Sequence, residues 1–193
     1  MRITGGKLRG QTLKAPEARG VRPSADRVRE AVGSILAARD AFAGARVLDL
    51  FAGSGAYGFE ALSRGASSVV AVDRLPLALQ TIQSNARRLG VTIDTQRADL
   101  LGSPARSLAM LASYAPFDLV FVDPPYEEIE KLPSILDSFT EQGILQQGAL
   151  LVVEGPSVKR PPDFEHLAPL RVYRYGDTQI ALFVNEGKRK KDS

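Results

Sequence analysis

The sequence predicts an α/β protein with a doubly wound, seven-stranded, mostly parallel sheet, preceded by a small N-terminal β-hairpin. From residue 46 onward, short apolar runs typical of buried strands alternate with helical stretches, as in a parallel sheet covered by helices on both faces. Near the end, Gly176-Asp177 separates two β-rich runs and predicts an antiparallel hairpin. The predicted strands are 46–50, 68–72, 92–97, 117–122, 149–153, 170–175 and 178–184.

Helices are expected between these strands and once before them. Ser24 is a suitable cap, Asp26 falls in the first turn, and the apolar residues that follow share one face to about Arg39. Glycines break residues 1–23 into a hairpin and a loop. The other predicted helices are 56–64, 75–89, 103–114 and 129–142. The expected organisation is an N-terminal extension (1–23), an α/β domain (24–185) and a basic, disordered tail (186–193).

The composition excludes several classes of site. The 193 residues include no cysteine and one histidine, His166, which excludes disulfides, thiolate metal sites and multi-histidine clusters. We therefore expect no metal. No stretch approaches the ~20 apolar residues that a membrane span needs, and the N-terminus lacks the apolar run of a signal peptide. A cytoplasmic monomer without a membrane partner is expected.

Positive charge is concentrated at the two ends of the chain. The net charge is +3, and the first 30 residues hold eight Lys or Arg against three acidic residues. Such a cluster favours contact with phosphate groups of nucleic acid. The run Lys188-Arg189-Lys190-Lys191 either joins this contact or is a solubilising terminus. The predicted phosphate-contacting residues are Arg2, Lys7, Arg9, Arg22, Arg27 and Arg29.

Four aspartates recur at the spacing of one strand and helix. Asp49, Asp73, Asp99 and Asp123 are 24, 26 and 24 residues apart and are predicted to follow the first four strands. The carboxyl ends of parallel strands share one edge, where doubly wound folds bind ligands. Four carboxylates there favour a ligand that is cationic or rich in hydrogen-bond donors. The alternative is that each aspartate is a helix N-cap.

The loop after the first strand contains G-x-G-x-x-G at Gly53, Gly55 and Gly58, which is also typical of dinucleotide binding. Asp49 argues against a dinucleotide, because its carboxylate would lie close to the pyrophosphate. At ~4 Å this repulsion costs about 4 kcal/mol at an effective dielectric constant of about 20. A ligand with an ammonium and a sulfonium group suits that charge better.

The sequence Asp123-Pro124-Pro125-Tyr126 follows the fourth strand. Neither proline has an N–H, and an ionised aspartate only accepts hydrogen bonds. The Asp123 carboxylate and the Pro124 carbonyl therefore suit the two N–H donors of an exocyclic amino group of a base. Hydrogen bonds from both amino hydrogens to these acceptors would draw the amino nitrogen out of conjugation with the ring. Its lone pair could then point at an electrophilic methyl group. Tyr126 offers a face for stacking the base.

These residues resemble the class I S-adenosylmethionine-dependent methyltransferases, which have a Rossmann-like fold. Within that class the chain resembles the RsmD family, which methylates the N2 of a guanine in bacterial small-subunit (16S) ribosomal RNA. The stretches that carry this resemblance are Arg2–Gly10, Arg22–Glu30, Leu48–Gly55, Glu60–Ala66 and Asp123–Tyr126.

The resemblance implies a role for each site residue. The methionine portion of S-adenosylmethionine would lie against Asp49 and the loop Phe51, Ala52, Gly53, Ser54 and Gly55. The start of the helix near Ala56 would favour its carboxylate. Asp73, with Arg74 beside it, would bind the ribose. Asp99 and the backbone of Ala98 and Leu100 would contact adenine. Asp123, Pro124, Pro125 and Tyr126 would hold the guanine of 16S ribosomal RNA, within the small subunit or an assembly intermediate.

Three other functions fit parts of the pattern. The Asp-Pro-Pro-Tyr chemistry does not distinguish guanine from adenine, so a DNA adenine-N6 methyltransferase stays open, although 193 residues leave little room for a sequence-reading domain. A non-enzymatic ribosome-assembly factor could bind S-adenosylmethionine and RNA. The glycine loop also admits a nicotinamide-dependent oxidoreductase.

Overall fold

A computed structural model describes residues 1–15 and 23–187 of the chain. The strands are β1 (Arg46–Leu50), β2 (Ser68–Asp73), β3 (Asp94–Arg97), β4 (Phe117–Val122), β5 (Leu145–Pro156), β6 (Ala168–Tyr175) and β7 (Thr178–Val184). The helices are α1 (Pro23–Ala37), α2 (Ala56–Arg64), α3 (Pro76–Leu89), α4 (Pro104–Ala112) and α5 (Leu132–Glu141), and a 3-10 helix spans Tyr126–Lys131.

The strands form one seven-stranded sheet in the order β3-β2-β1-β4-β5-β7-β6. The pairs β1/β2, β2/β3 and β4/β5 are parallel, whereas β7 is antiparallel to both β5 and β6. This arrangement confirms the predicted α/β fold with a mostly parallel sheet and a terminal hairpin. Of the helices in the described part of the chain, none is long and apolar enough to cross a membrane.

Contacts divide the chain into two compact units, Met1–Ala98 and Asp99–Ser193. The division falls inside the predicted α/β domain (24–185), and the predicted boundaries at 23 and 185 stay a prediction. Most of the predicted tail, from residue 188, lies outside the described residues.

In the first unit, β1 and β2 form the core beneath α2 and α3. The side chains of β1 from Val47 to Leu50 are all buried, as are those of β2 from Val69 to Asp73. Gly65 ends α2 with a φ of 114°, and its N–H binds the carbonyls of Ala61 and Leu62. A residue with a Cβ rarely adopts this φ, so the glycine fixes where the helix stops.

The N-terminal segment (residues 1–14) is fastened to the same unit. In place of two regular strands, it forms one antiparallel bridge between Arg2 and Thr12. Its far end is fixed by Asn85 of α3, whose side chain accepts from the Lys14 N–H and donates to the Lys14 carbonyl, both at 3.0 Å. The backbone of this segment is therefore held in place while most of its polar side chains face solvent.

In the second unit, β5 pairs with β4 and β7, and α5 packs on β5. Phe164 and Phe183 meet edge to face, with ring centroids 4.8 Å apart. The predicted helix at 129–142 is in fact a 3-10 helix followed by α5, with Pro133 in the first turn of α5. Proline is well suited to that position, because the N–H that it lacks would have had no partner within the helix.

Candidate functional site

The loop from β1 to α2 turns through a strained backbone. Phe51, Gly53 and Gly55 have φ values of 59°, 55° and 75°. A non-glycine residue in this region costs of order 1–3 kcal/mol and persists only where its surroundings hold it. Here the adjacent Ala52 N–H donates to the Val72 carbonyl at 3.0 Å, and the Gly55 N–H donates to the Ala52 carbonyl at 2.7 Å. Gly55 is the N-cap of α2, so the loop opens onto a helix N-terminus, which favours anions.

Asp49 lies within β1 rather than after it, which corrects the sequence prediction. Its side chain is buried, and Oδ2 accepts a hydrogen bond from the Gly58 N–H at 3.0 Å. Burial raises the pKa of Asp49 to about 8; the Gly58 hydrogen bond opposes this shift, and the negative charge of Asp73 adds to it. Asp49 is therefore mostly neutral at pH 7 until a cation comes close.

Gly58, the third glycine of the motif, allows α2 to approach β1 and β2. A Cβ at this position would lie 2.9 Å from Val69 Cγ1 and 3.2 Å from Asp49 Oδ2. A Cβ here would therefore force Val69, Asp49 or the helix itself to shift.

Asp73, the last residue of β2, joins the two loops at this edge of the first unit. Its Oδ2 accepts from the Gly53 N–H at 2.8 Å, and its Oδ1 accepts from the Leu75 N–H at 2.9 Å. The Ala98 N–H donates to its carbonyl at 3.2 Å. The structure thus brings together Asp49, the glycine loop, Asp73 and Ala98. The neighbouring Arg74 has an exposed side chain.

Asp99 begins the second unit and shapes the turn into α4. Its Oδ1 accepts from the Gly102 N–H at 3.0 Å, and its carbonyl accepts from the Ser103 N–H at 2.9 Å. Asp99 is exposed, whereas Leu100 is buried.

None of the four aspartates is the N-cap of the helix that follows it. The N-cap residues of α2, α3, α4 and the 3-10 helix are Gly55, Leu75, Ser103 and Pro125. The alternative that all four aspartates are helix caps is therefore wrong.

The Asp123–Tyr126 loop lies between β4 and the 3-10 helix. Pro125 is extended, with φ −53° and ψ 132°, and its carbonyl accepts from the Glu128 N–H at 2.9 Å. It stays a prediction that the Asp123 carboxylate and the Pro124 carbonyl accept hydrogen bonds from an amino group. The Tyr126 hydroxyl lies 3.3 Å from Thr178 Oγ1, which fixes its ring beside the first residue of β7.

The predicted RNA-binding residues differ in exposure. Arg2, Lys7, Arg9 and Arg27 are exposed, whereas Arg22 lies outside the described residues. Arg29 is only 4% exposed and donates to Asp26 Oδ1 at 2.8 Å and to the Arg2 carbonyl at 2.9 Å. Its guanidinium holds α1 against the N-terminal segment, so we remove Arg29 from the predicted phosphate contacts.

Sequence reasoning missed the cluster around Glu60. This buried carboxylate accepts from the Thr4 N–H at 2.8 Å, from Thr4 Oγ1 at 2.6 Å and from Arg64 Nε at 2.7 Å. Ser63 adds a carbonyl that accepts from the Lys7 N–H at 2.8 Å. The sequence signal was present but not used: Gly5-Gly6 marks a place where the backbone comes close to another element.

The strand order, the glycine loop after β1 and the acidic residues at the next strand ends define the class. They belong to the Rossmann-like fold of class I S-adenosylmethionine-dependent methyltransferases. A family model described as Conserved hypothetical protein 95 matches residues 1–184, and the chain belongs to that family. This membership, with the relatives below, confirms the resemblance to the RsmD family.

Two curated relatives and one solved structure illustrate the match. "Putative rRNA methyltransferase YlbH" of Bacillus subtilis is 36% identical over 190 residues, which cover 97% of this chain and 100% of the relative. "Ribosomal RNA small subunit methyltransferase D" of Escherichia coli K12 is 36% identical over 156 residues, or 80% and 74% of the two chains. The structure of "Putative methyltransferase yhhF" from Escherichia coli superposes with a TM-score of 0.78 at 30% identity, covering 97% and 99%.

Proposed function

We propose that this chain transfers a methyl group from S-adenosylmethionine to the exocyclic N2 of a guanine in 16S ribosomal RNA. The observation that carries the proposal is the donor-poor Asp123–Tyr126 loop at the end of β4, in a chain whose buried Asp49 in β1 suits a cationic group. The names of the two curated relatives support ribosomal RNA as the substrate. The RNA is in a small ribosomal subunit or an assembly intermediate.

The residues of the first unit fit S-adenosylmethionine. Asp49 is a buried acid that a nearby ammonium or sulfonium would help to ionise. The N-terminus of α2 suits the methionine carboxylate. Asp73 already orders both loops and keeps further acceptor sites on its two oxygens for ribose hydroxyls. Arg74 lies next to it, and Ala98 would line the adenine. The resemblance also assigns adenine contacts to Asp99 and Leu100, which belong to the second unit. The bound cofactor supplies the electrophilic methyl group.

The residues of the second unit hold the guanine. The Asp123 carboxylate and the Pro124 carbonyl each accept a hydrogen bond from the amino group, which turns the nitrogen lone pair toward the methyl group. Once the N–C bond forms, the nitrogen loses one proton to Asp123 or to solvent. Tyr126 stacks on the base, a contact worth roughly 1–3 kcal/mol. Most of the rate comes from positioning, which supplies several kcal/mol of the barrier. The base must be unpaired or flipped out to reach this loop.

The N-terminal extension (1–23) contacts the RNA beside the methyltransferase domain (24–185). Arg2, Lys7 and Arg9 are exposed on a segment whose backbone is fixed to α2 and α3, and Arg27 is exposed on α1. The proposed RNA-contacting residues also include Arg22 and the basic tail (186–193). Charges on a preordered backbone lose little conformational freedom on binding, which favours affinity.

Labelled methyl transfer to small ribosomal subunits from cells that lack this protein tests the proposal, with the modified base mapped. We expect N2-methylguanine. Asp123→Ala should lower transfer by at least 100-fold and leave S-adenosylhomocysteine affinity unchanged. Asp163→Ala is the matched control, because it removes an exposed carboxylate of the same unit. Labelling of duplex DNA and not of the subunit would overturn the substrate. Near-normal transfer by Asp123→Ala would overturn the role of Asp123.

A further inference from the structure

The outermost strand of the sheet carries chemistry that the proposed site does not use. β6 ends the strand order, and its second half, Arg171-Val172-Tyr173-Arg174-Tyr175, intersperses basic with aromatic residues. Both arginines are exposed, and both tyrosines are partly exposed. Alternation of arginine with aromatic rings is typical of surfaces that bind single-stranded nucleic acid.

Three of these side chains form a continuous row, here called the β6 ladder: Arg171, Tyr173 and Tyr175. Residues two apart in a strand face the same side, and the Arg171 guanidinium lies 5.4 Å from the centroid of the Tyr173 ring. Burial raises the pKa of Tyr175, and the negative charge of an ionised Tyr173 would raise it further. The Tyr175 ring therefore lies near Tyr173 and stays neutral at physiological pH.

The β6 ladder begins beside the loop that we propose holds the target base. Tyr175 pairs with Thr178 across the hairpin, and Thr178 Oγ1 lies 3.3 Å from the Tyr126 hydroxyl. The hairpin turn is fixed from outside, because the Ser157 N–H donates to the Asp177 carbonyl at 2.8 Å. A row of neighbouring side chains thus leads from Tyr126 outward along β6.

Local chemistry favours RNA over a second copy of the chain as the occupant. β6 contains two arginines and no acidic residue, which complements a phosphate backbone. Pairing with another strand is disfavoured, since Pro169 lacks an N–H and the register with β7 shifts between Pro169 and Arg171. Charged side chains along the strand discourage edge-to-edge pairing further.

We propose that the β6 ladder binds the single-stranded RNA next to the target nucleotide, with Tyr173 and Tyr175 stacking on bases and Arg171 contacting phosphate. This inference rests on the proposed function and names a second RNA-binding surface for it. A stretch of RNA that enters here would deliver its next nucleotide to Tyr126 and Asp123.

Two measurements on the full chain test the β6 ladder. The first is KM and kcat for methyl transfer to small ribosomal subunits from cells that lack the protein. The second is binding of a fluorescein-labelled single-stranded RNA of mixed sequence over a series of salt concentrations. Tyr173→Leu should raise both the KM and the RNA dissociation constant about fivefold or more. Arg171→Gln should reduce the salt slope by about 0.7, the value of one phosphate contact.

Three controls separate the ladder from general damage. Arg106→Gln removes an exposed arginine on α4 of the same unit and should change neither measurement. Tyr173→Phe keeps the ring and should bind RNA like the wild type. All variants should keep kcat and the affinity for S-adenosylhomocysteine, which also shows that they are folded.

The outcomes for the two proposals are distinct. If the wild type transfers no methyl to ribosomal RNA but binding still depends on Tyr173 and Arg171, the proposed function fails and the surface stands. If transfer occurs and the ladder variants behave like Arg106→Gln in both measurements, the ladder is wrong. A wild-type dimer in sedimentation that Tyr173→Leu dissociates would make β6 an interface between copies and overturn the RNA assignment.

Discussion

Asp49 shows how one buried carboxyl group can be prepared for a cationic ligand. Its side chain is only 2% exposed, and one oxygen is bound to the Gly58 N–H. Burial outweighs that hydrogen bond and raises the pKa from its ordinary value of 3.8 to about 8. The free chain therefore avoids a buried negative charge at neutral pH, and a cationic ligand would restore the charge where it is useful.

The first prediction concerns stability and pH. Between pH 4 and 8, folded Asp49 keeps a proton that the unfolded chain has lost, so the free energy of unfolding should fall as the pH rises. The contribution is fully present below pH 4 and is lost through pH 8, with a slope of at most about 1.4 kcal/mol per pH unit. Asp49→Asn keeps an acceptor for Gly58 and removes the titration, so urea unfolding at several pH values should show a flatter dependence. Equal slopes in the wild type and in Asp49→Asn would contradict this prediction. The control is Asp163→Asn, which removes an exposed carboxyl group.

The second prediction concerns proton release on ligand binding. If S-adenosylhomocysteine places its ammonium beside Asp49, binding at pH 7 must release up to one proton. The affinity should then rise toward about tenfold per pH unit below pH 8 and level off above it. Calorimetry in buffers of different ionisation enthalpy measures the protons released. Asp49→Asn should bind far more weakly and release none, whereas release by the variant equal to that of the wild type would exclude Asp49 as the source.

Among the elements, the N-terminal segment is the least regular and yet is closely fitted to α2. Gly6 has a φ of 73°, and a Cβ there would lie 1.8 Å from the Ser63 carbonyl oxygen. The close approach of Gly6 to Ser63 and the hydrogen bonds from Thr4 to Glu60 together order a segment that has little secondary structure of its own. The exposed Lys7 and Arg9 gain their fixed position from it.

The third prediction compares two glycines of that segment. Gly6→Ala should displace the segment from α2 and raise the KM for ribosomal RNA about tenfold or more. Gly10→Ala meets a similar φ of 85° but no atom within 4 Å, so it carries the backbone strain without the clash. Hydrogen exchange of residues 1–15 should increase only in Gly6→Ala. Equal effects of the two substitutions would mean that backbone strain, and not the contact with Ser63, is responsible.

The regular elements could be predicted because their periods are local. The strands at 46–50 and 117–122 and the helix at 56–64 match the structure, since apolar periodicity and glycine stops fix their ends. The Glu60 cluster was harder to predict, because it joins Thr4 to a residue 56 positions away, and Gly5-Gly6 marks a close approach without identifying the partner. Arg29 was misjudged for the same reason: charge counting does not reveal that its guanidinium is buried and donates to the Arg2 carbonyl, 27 positions away.

At the scale of the whole molecule, the predicted cofactor residues are unevenly divided. Asp49, the glycine loop, Asp73 and Ala98 belong to the first unit, whereas Asp99, Leu100 and the Asp123–Tyr126 loop belong to the second. Mutations should therefore be able to abolish cofactor binding or catalysis separately. The stabilisation that a bound ligand gives to the folded chain reports cofactor binding without requiring catalysis.

The fourth prediction uses that separation. A ligand at 100 times its dissociation constant stabilises the folded state by about 2.7 kcal/mol, which corresponds to a rise in Tm of roughly 5–10 °C for a chain of this length. S-adenosylhomocysteine should produce this rise and NAD should not. Asp123→Ala should retain the rise in full. Asp73→Ala should lose most of it, because the variant also frees the Gly53 and Leu75 N–H groups that order the two loops. A rise with NAD that Asp73→Ala removes would instead make the glycine loop a dinucleotide site and favour the oxidoreductase.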